Sequence, residues 1–100
     1  MGALAARALI QKGKREPWIL TSEITFPGME QRLDGFIRAM ADHGIPVSRD
    51  RILRGENTPE SGAGMTHTAL TSGQACDSIY CLSDAIACGC LFTLNQSHIA

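Results

Sequence analysis

Arg32, Asn57, Ser83 and Asp84 carry most of the chemistry this chain can offer: a guanidinium, an amide, a hydroxyl and a carboxylate, with Thr25, Phe26, Gly28 and Glu56 in the same loops. This is the usual set for holding a small polar ligand such as a sugar or a purine. Paired donors and acceptors orient the ligand, and an aromatic ring covers its apolar face. Catalysis would need a nucleophile beside an oriented base, and the histidines do not provide one. His43 ends a helical run, His67 is in the middle of another, and His98 is near the end of the chain. No G-x-S-x-G, Walker A or G-x-G-x-x-G motif is present. The residues therefore read as a recognition site and not as an enzyme. Two of them have plainer roles open to them. The Arg32 stem can cover the edge of the core while its head stays in water or pairs with Glu30 or Glu56. Ser83-Asp84 can be an ordinary helix cap, worth about 1 kcal/mol.

Cys76, Cys81, Cys88 and Cys90 are spaced C-x4-C-x6-C-x-C, which matches no usual zinc or redox signature. They read as structural, since free cysteine in a reducing compartment behaves as a small buried hydrophobe. No cofactor and no metal are expected. A small redox or metal protein built on this cluster is the alternative from the enzyme class.

The elements that must position these groups follow from apolar periodicity and its punctuation. Gly2 to Lys12 is rich in Ala and Leu and stops at Gly13, which predicts a helix. Trp18 to Ser22 is a short apolar run between breakers, which predicts a buried strand. Gly28 to Gly44 places Met29, Leu33, Phe36, Ile37 and Met40 on one helical face, with Pro27 suited to the first helical position and Gly44 to the left-handed stop. Ile52-Leu53 is a weak strand ending at Gly55. Thr58-Pro59-Glu60 then starts a helix that Gly62 and Gly64 each weaken by up to about 1 kcal/mol. Ser78 to Leu82 is the last strand, and Ser83-Asp84 caps a helix from Ala85 to about Asn95.

The resulting order, αβαβαβα, predicts an α/β fold with an open parallel sheet of three layers, helices covering both faces. Ligands in such sheets bind beyond the carboxyl ends of the strands. That rule selects the loops Ser22 to Gly28, Gly55 to Thr58 and Leu82 to Asp84, which with the helix start at Arg32 present the residues named at the outset at one edge. One hundred residues with a formal charge of −1 and scattered lysines and arginines offer no basic stripe, so this chain alone is not expected to grip DNA. No apolar run approaches the roughly 20 residues of a membrane span. The opening MGALAARALI-QKGKRE has its charges after the apolar stretch, opposite to a signal peptide, so a cytoplasmic location is expected.

Four segments in one order carry a family resemblance: G-x-L-A-x-x-x-L-I-x-x-G at Gly2 to Gly13, R-L-D-G-F-x-x-A-M-x-x-H-G at Arg32 to Gly44, G-x-x-x-P-E-S-G at Gly55 to Gly62, and D-x-I-Y-C-x-S-D-x-x-A-x-G-x-L at Asp77 to Leu91. Over nearly its whole length the chain resembles the effector-binding domain of lactose/galactose-repressor (LacI/GalR) family regulators, with the PESG and RLDGF runs most like the purine-repressor branch. The resemblance implies one lobe of a periplasmic-binding-protein-like type I fold, so that residues 1–100 are a partial effector-binding domain, its second lobe, without a DNA-binding domain. It also implies a homodimer that senses a sugar or nucleobase-like effector and reaches DNA only through a helix-turn-helix segment outside this sequence. Arg32 matches the family arginine that reaches the effector, Phe26 and Gly28 match loop positions near the ligand, and Ser83 matches a site often occupied by asparagine. Asn57 stands where an aromatic residue is common, and Cys76 where proline is common. Within the same fold, the solute-binding protein of a sugar transporter is the competing expectation.

Overall fold

A computed structural model of the chain describes residues 2–24 and 27–96. The elements are α1 (Gly2–Gln11), β1 (Pro17–Ser22), α2 (Met29–Asp42), a 3₁₀ turn (Arg49–Arg51), β2 (Ile52–Gly55), α3 (Pro59–Thr71), β3 (Ser78–Cys81) and α4 (Asp84–Gln96). The three strands form one parallel sheet in the order β2-β1-β3, with Ile19 opposite both Ile52 and Tyr80. Successive side chains along a strand face opposite sides of the sheet, and the sequence uses this to build two cores. Ile19, Ile52 and Tyr80 meet α1 and α2 through Ala6, Met29, Leu33, Phe36 and Met40. Leu20, Leu53, Ile79 and Cys81 meet α3 and α4 through Met65, Ile86 and Cys90. Every residue of the central strand β1 is buried, which is why PWILTS reads as a continuous run and not as an alternation. This is the expected three-layer α/β lobe.

The helix stops follow from backbone conformation. Gly13 and Gly44 adopt φ of 77° and 76°, values that cost glycine little and other residues more. After α2, the Gly44 amide donates to the Ala41 carbonyl and the Ile45 amide to the Met40 carbonyl, each at 2.9 Å. This paired closure engages two carbonyls of the last turn and folds Ile45 back into the core. At the other end of α2 the expectation for Pro27 is corrected. The helix begins at Met29, and Gly28 before it has a φ of 89°, so the left-handed turn at Gly28 separates Pro27 from the helix.

Gly62 and Gly89 have a role that helix propensity does not reveal. A Cβ on Gly62 would collide with the Ile86 carbonyl oxygen, and one on Gly89 with that of Pro59. The two glycines let α3 and α4 cross at backbone contact, which offsets part of their conformational cost. Gly64 faces open space and has no such compensation.

The 3₁₀ turn is absent from the periodicity and is held by contacts distant in sequence. Arg51 lies 5.4 Å from the Trp18 ring centroid, donates to the Ala75 carbonyl at 2.7 Å and pairs with Glu16 at 3.0 Å. The Trp18 indole N–H donates to the same carbonyl at 3.0 Å. Beside it, the Asp77 carboxylate accepts from the amides of Arg15 and Glu16 at 2.8 and 3.0 Å and from the Ser78 hydroxyl at 2.9 Å. Burial alone would raise the Asp77 pKa, but these hydrogen bonds and the Lys14 charge hold it below the ordinary 3.8. A depressed carboxyl pKa stabilises the fold fully above the unfolded value and loses that effect as pH falls through the folded one. The stability difference between the natural chain and Asp77→Ala should be about 1 kcal/mol at neutral pH, given the partial exposure. It should shrink as pH falls below 3.8. Urea unfolding at neutral and acidic pH checks this, and a difference independent of pH would exclude the carboxylate as its source.

Candidate ligand-binding site

Three turns leave the carboxyl ends of the strands. The turn after β1 enters the α1–α2 layer, while those after β2 and β3 enter the opposite layer through α3 and α4. The connections diverge at β1, and divergence of this kind opens a crevice at the sheet edge.

On the α3–α4 side, Thr58 caps α3 by accepting from the Ser61 amide at 3.1 Å, with Pro59 at the first helical position. The Ser83 hydroxyl caps α4 by accepting from the Ile86 amide at 3.1 Å and donates to Asn57 Oδ1 at 2.6 Å. Both readings of Ser83 therefore coexist, since it caps a helix and also joins the β2–α3 turn to the β3–α4 turn. Its bond leaves the Asn57 amide N–H₂ as an exposed donor at the edge. Asp84 is exposed at the first position of α4. Ser83→Ala removes a cap and should destabilise the fold by about 1 kcal/mol. Thermal unfolding measures this, and a loss near zero would mean that water replaces the hydroxyl.

On the α1–α2 side, Gly28 and Arg32 line a recess of about 300 Å³ with Gly2, Ala3, Gln31 and Gly35. Neither Asn57 nor Ser83 lines it. Arg32 is half-buried, and its amide donates to the Gly28 carbonyl at 3.0 Å. The suggested pairing with Glu30 is corrected, because residues two apart on a helix do not face each other and Glu30 instead meets Arg54 of β2 at 2.9 Å. Among the described residues, neither a hydrogen bond nor an ion pair engages the Arg32 guanidinium. Its charge is felt at Tyr80, where burial raises the phenol pKa and Arg32 opposes the rise. Thr25 and Phe26 lie outside the described residues, so the aromatic member of the expected set is not placed.

The structure adds groups that residue spacing does not single out. Tyr80 stacks on Phe36 with ring centroids 4.5 Å apart. Thr21, 0% exposed near the carboxyl end of β1, has a buried hydroxyl with no hydrogen-bond partner among the described residues. Its strand position is legible in the sequence, but its isolation is not. Among the cysteines, Cys90 is buried as expected, while Cys88 is exposed on α4 and makes no core contribution. No group of three or more His, Cys, Asp or Glu residues able to hold a metal ion is found among the described residues. No helix among them is long and apolar enough to cross a membrane.

Residues 1–98 match the family described as periplasmic binding proteins and sugar binding domain of LacI family. Among curated proteins, the chain is similar to the HTH-type transcriptional repressor PurR of Actinobacillus pleuropneumoniae, at 28% identity over 99 residues covering 99% of this chain and 30% of that protein. It is also similar to the PurR repressor of Yersinia pestis, at 31% identity over 95 residues covering 95% of this chain and 28% of that protein. The chain thus spans about 30% of the length of these relatives. Among solved structures, a LacI family transcription regulator from Clostridium acetobutylicum superposes with a TM-score of 0.92 at 26% identity, covering 100% of this chain and 37% of the other. A sugar-binding LacI family regulator from Escherichia coli, complexed with phosphate, gives a TM-score of 0.87 at 30% identity, covering 99% and 36%.

Proposed function

Because the chain belongs to the family of periplasmic binding proteins and LacI-type sugar-binding domains, we propose that it is part of the effector-sensing domain of a transcriptional regulator and forms that domain's second lobe. The observation that carries this reading is the Ser83–Asn57 bond at 2.6 Å, which fixes two turns into one polar edge beyond the strands. Arg32 and Gly28 line the neighbouring recess. The ligand is a small polyhydroxylated or nucleobase-like molecule, with Arg32, Asn57, Ser83 and Asp84 supplying donors and acceptors and Phe26 an apolar cover. The naming of both curated relatives as repressors favours a regulator over a transport protein.

In the whole protein, a first lobe forms the other wall of the site, and closure of the two lobes excludes water and strengthens the polar contacts. Closure then alters lobe orientation in a cytoplasmic homodimer, and so alters operator affinity through a helix-turn-helix segment outside this sequence. The role is binding without turnover. Calorimetric titration of the full-length protein with purine bases, and separately with pentoses and hexoses, tests the reading. Saturable heat from one class supports it, and none from either overturns it.

A further inference from the structure

Asn57 sits at the tip of the turn between β2 and α3, and both its backbone and its side chain are held. The Thr58 amide donates to the Glu56 carbonyl at 2.9 Å, which closes a three-residue turn with Asn57 at its centre. The Thr58 hydroxyl accepts from the Ser61 amide at 3.1 Å and so ties this turn to the helix that follows. From the neighbouring turn, Ser83 reaches the Asn57 amide at 2.6 Å. We propose, on the basis of the sensing role inferred above, that Ser83 is a positioning residue that fixes the Asn57 amide with its N–H₂ outward. Asn57 thereby becomes a specificity-determining residue, selecting a ligand atom able to accept a hydrogen bond.

The protons available at Ser83 set the direction of the bond. The Ile86 amide can only donate, so the Ser83 oxygen accepts from it at 3.1 Å. The hydroxyl then has one proton to give and one lone pair to spare. With the Asn57 amide turned the other way, its nitrogen would donate to Ser83, which would accept twice and leave its own proton without a partner. The contact length decides between the two arrangements. A separation of 2.6 Å lies within the range of O–H···O bonds, about 2.5–3.0 Å, and below that of N–H···O bonds, about 2.7–3.2 Å.

Ser83 therefore gives its proton to Asn57 Oδ1, and Asn57 offers the two N–H groups of its amide to the crevice. Among the described residues no hydrogen bond engages those donors. A ligand acceptor facing them is bound, while an amino group placed there meets only other N–H groups and is rejected. The bond also removes the rotational freedom of an exposed side chain before the ligand arrives. With one lone pair to spare, Ser83 affects a ligand mainly through Asn57.

The orientation is tested without ligand, by NMR on the isotope-labelled 100-residue chain. Both Asn57 side-chain amide protons should exchange with water unprotected. The side-chain carbonyl carbon should move to lower frequency in Ser83→Ala, which removes the hydrogen bond that it accepts. An amide proton protected in the natural chain and released in Ser83→Ala would mean that Asn57 donates to Ser83, and would overturn the proposal. An unmoved carbonyl carbon would overturn it equally. The consequence for binding is tested by calorimetry on the full-length protein with adenine, hypoxanthine, D-ribose and D-glucose, and the variants are titrated with whichever binds most tightly. Asn57→Ala should weaken that binding by roughly 2- to 10-fold, as for the loss of one neutral hydrogen bond. Ser83→Ala should weaken it by roughly threefold in the natural background and not at all in Asn57→Ala, because a positioning residue has no effect once the group it positions is gone. Ser83→Thr, which keeps the hydroxyl, should retain the natural affinity. Equal losses from Ser83→Ala in both backgrounds would make Ser83 a direct contact or a plain cap, and no loss from Asn57→Ala would remove Asn57 from the site. Either result overturns the proposal. Binding of none of the four probes would overturn the sensing role and, with it, selection by Asn57, whereas the orientation stands or falls separately on the NMR result.

Discussion

Phe36→Ala should cost the fold about 3–5 kcal/mol, a large part of the roughly 5–15 kcal/mol that holds a domain together. Phe36 is 0% exposed at the centre of the α1–α2 layer, packed with Leu33 and Met40, and its ring stacks on Tyr80 of β3 at an interplanar angle of 22°. Truncation removes the transfer energy of the ring and leaves a cavity between α2 and the sheet. Backbone contact between α1 and α2 at Gly2 limits how far that layer can move to close it. Urea unfolding followed by fluorescence of Trp18, the single tryptophan and 2% exposed, measures the change. Phe36→Leu, which keeps most of the volume, should cost less than about 1.5 kcal/mol and remains measurable if the alanine variant does not fold. Equal losses from the two substitutions would show that packing volume at this position does not control stability.

Phe36 is legible in the sequence because one local rule decides it. The recurrence of Met29, Leu33, Phe36 and Met40 matches a helix face, and the face needs a core. The same locality makes the glycine stops at 13 and 44 and the Thr58-Pro59 start readable. Features formed between distant segments are not readable in this way. The Gly62–Ile86 and Gly89–Pro59 approaches come from two helices meeting in space, and in the sequence each glycine looks like a simple weakness. Local rules also compete at Pro27, where proline suits a first helical position but Gly28 turns left-handed and delays the helix.

The candidate site shows the same division. Strand ends and helix starts place Arg32, Asn57, Ser83 and Asp84 at one edge. The Ser83–Asn57 bond and the Glu30–Arg54 pair join residues separated by whole elements, so no spacing rule reaches them. Cys88 and Cys90 are close in sequence yet differ in exposure, because adjacent positions on a helix rotate by about 100° each. The packing of α4 against β3 and α3, and not cysteine composition, decides which of the two thiols is buried.

Arg32→Ala should weaken effector binding in the full-length protein by roughly 10- to 100-fold, since a lost hydrogen bond to a charged group costs about 1.5–3 kcal/mol. Arg32 lies in the first turn of α2, where the helix macrodipole disfavours a cation by roughly 0.3–1 kcal/mol. It is half-buried and lines the recess with Gly28, and no acidic side chain among the described residues neutralises it. Glu30, two residues before it on the helix, does not share its face and is bound to Arg54, so the helix itself offers Arg32 no counter-charge there. A ligand hydroxyl or ring nitrogen would offer the missing acceptor and recover part of the dipole cost. Stability should change by less than about 0.5 kcal/mol, as for substitutions outside the core. Arg32→Lys keeps the charge but loses the planar fork, so its affinity should fall between those of the natural protein and the alanine variant. Calorimetric titration alongside thermal unfolding separates binding from folding. Unchanged affinity in a folded Arg32→Ala protein would leave the arginine stem as cover for the core edge and transfer the principal contacts to Asn57 and Ser83, a pair that the fold already holds together across the edge.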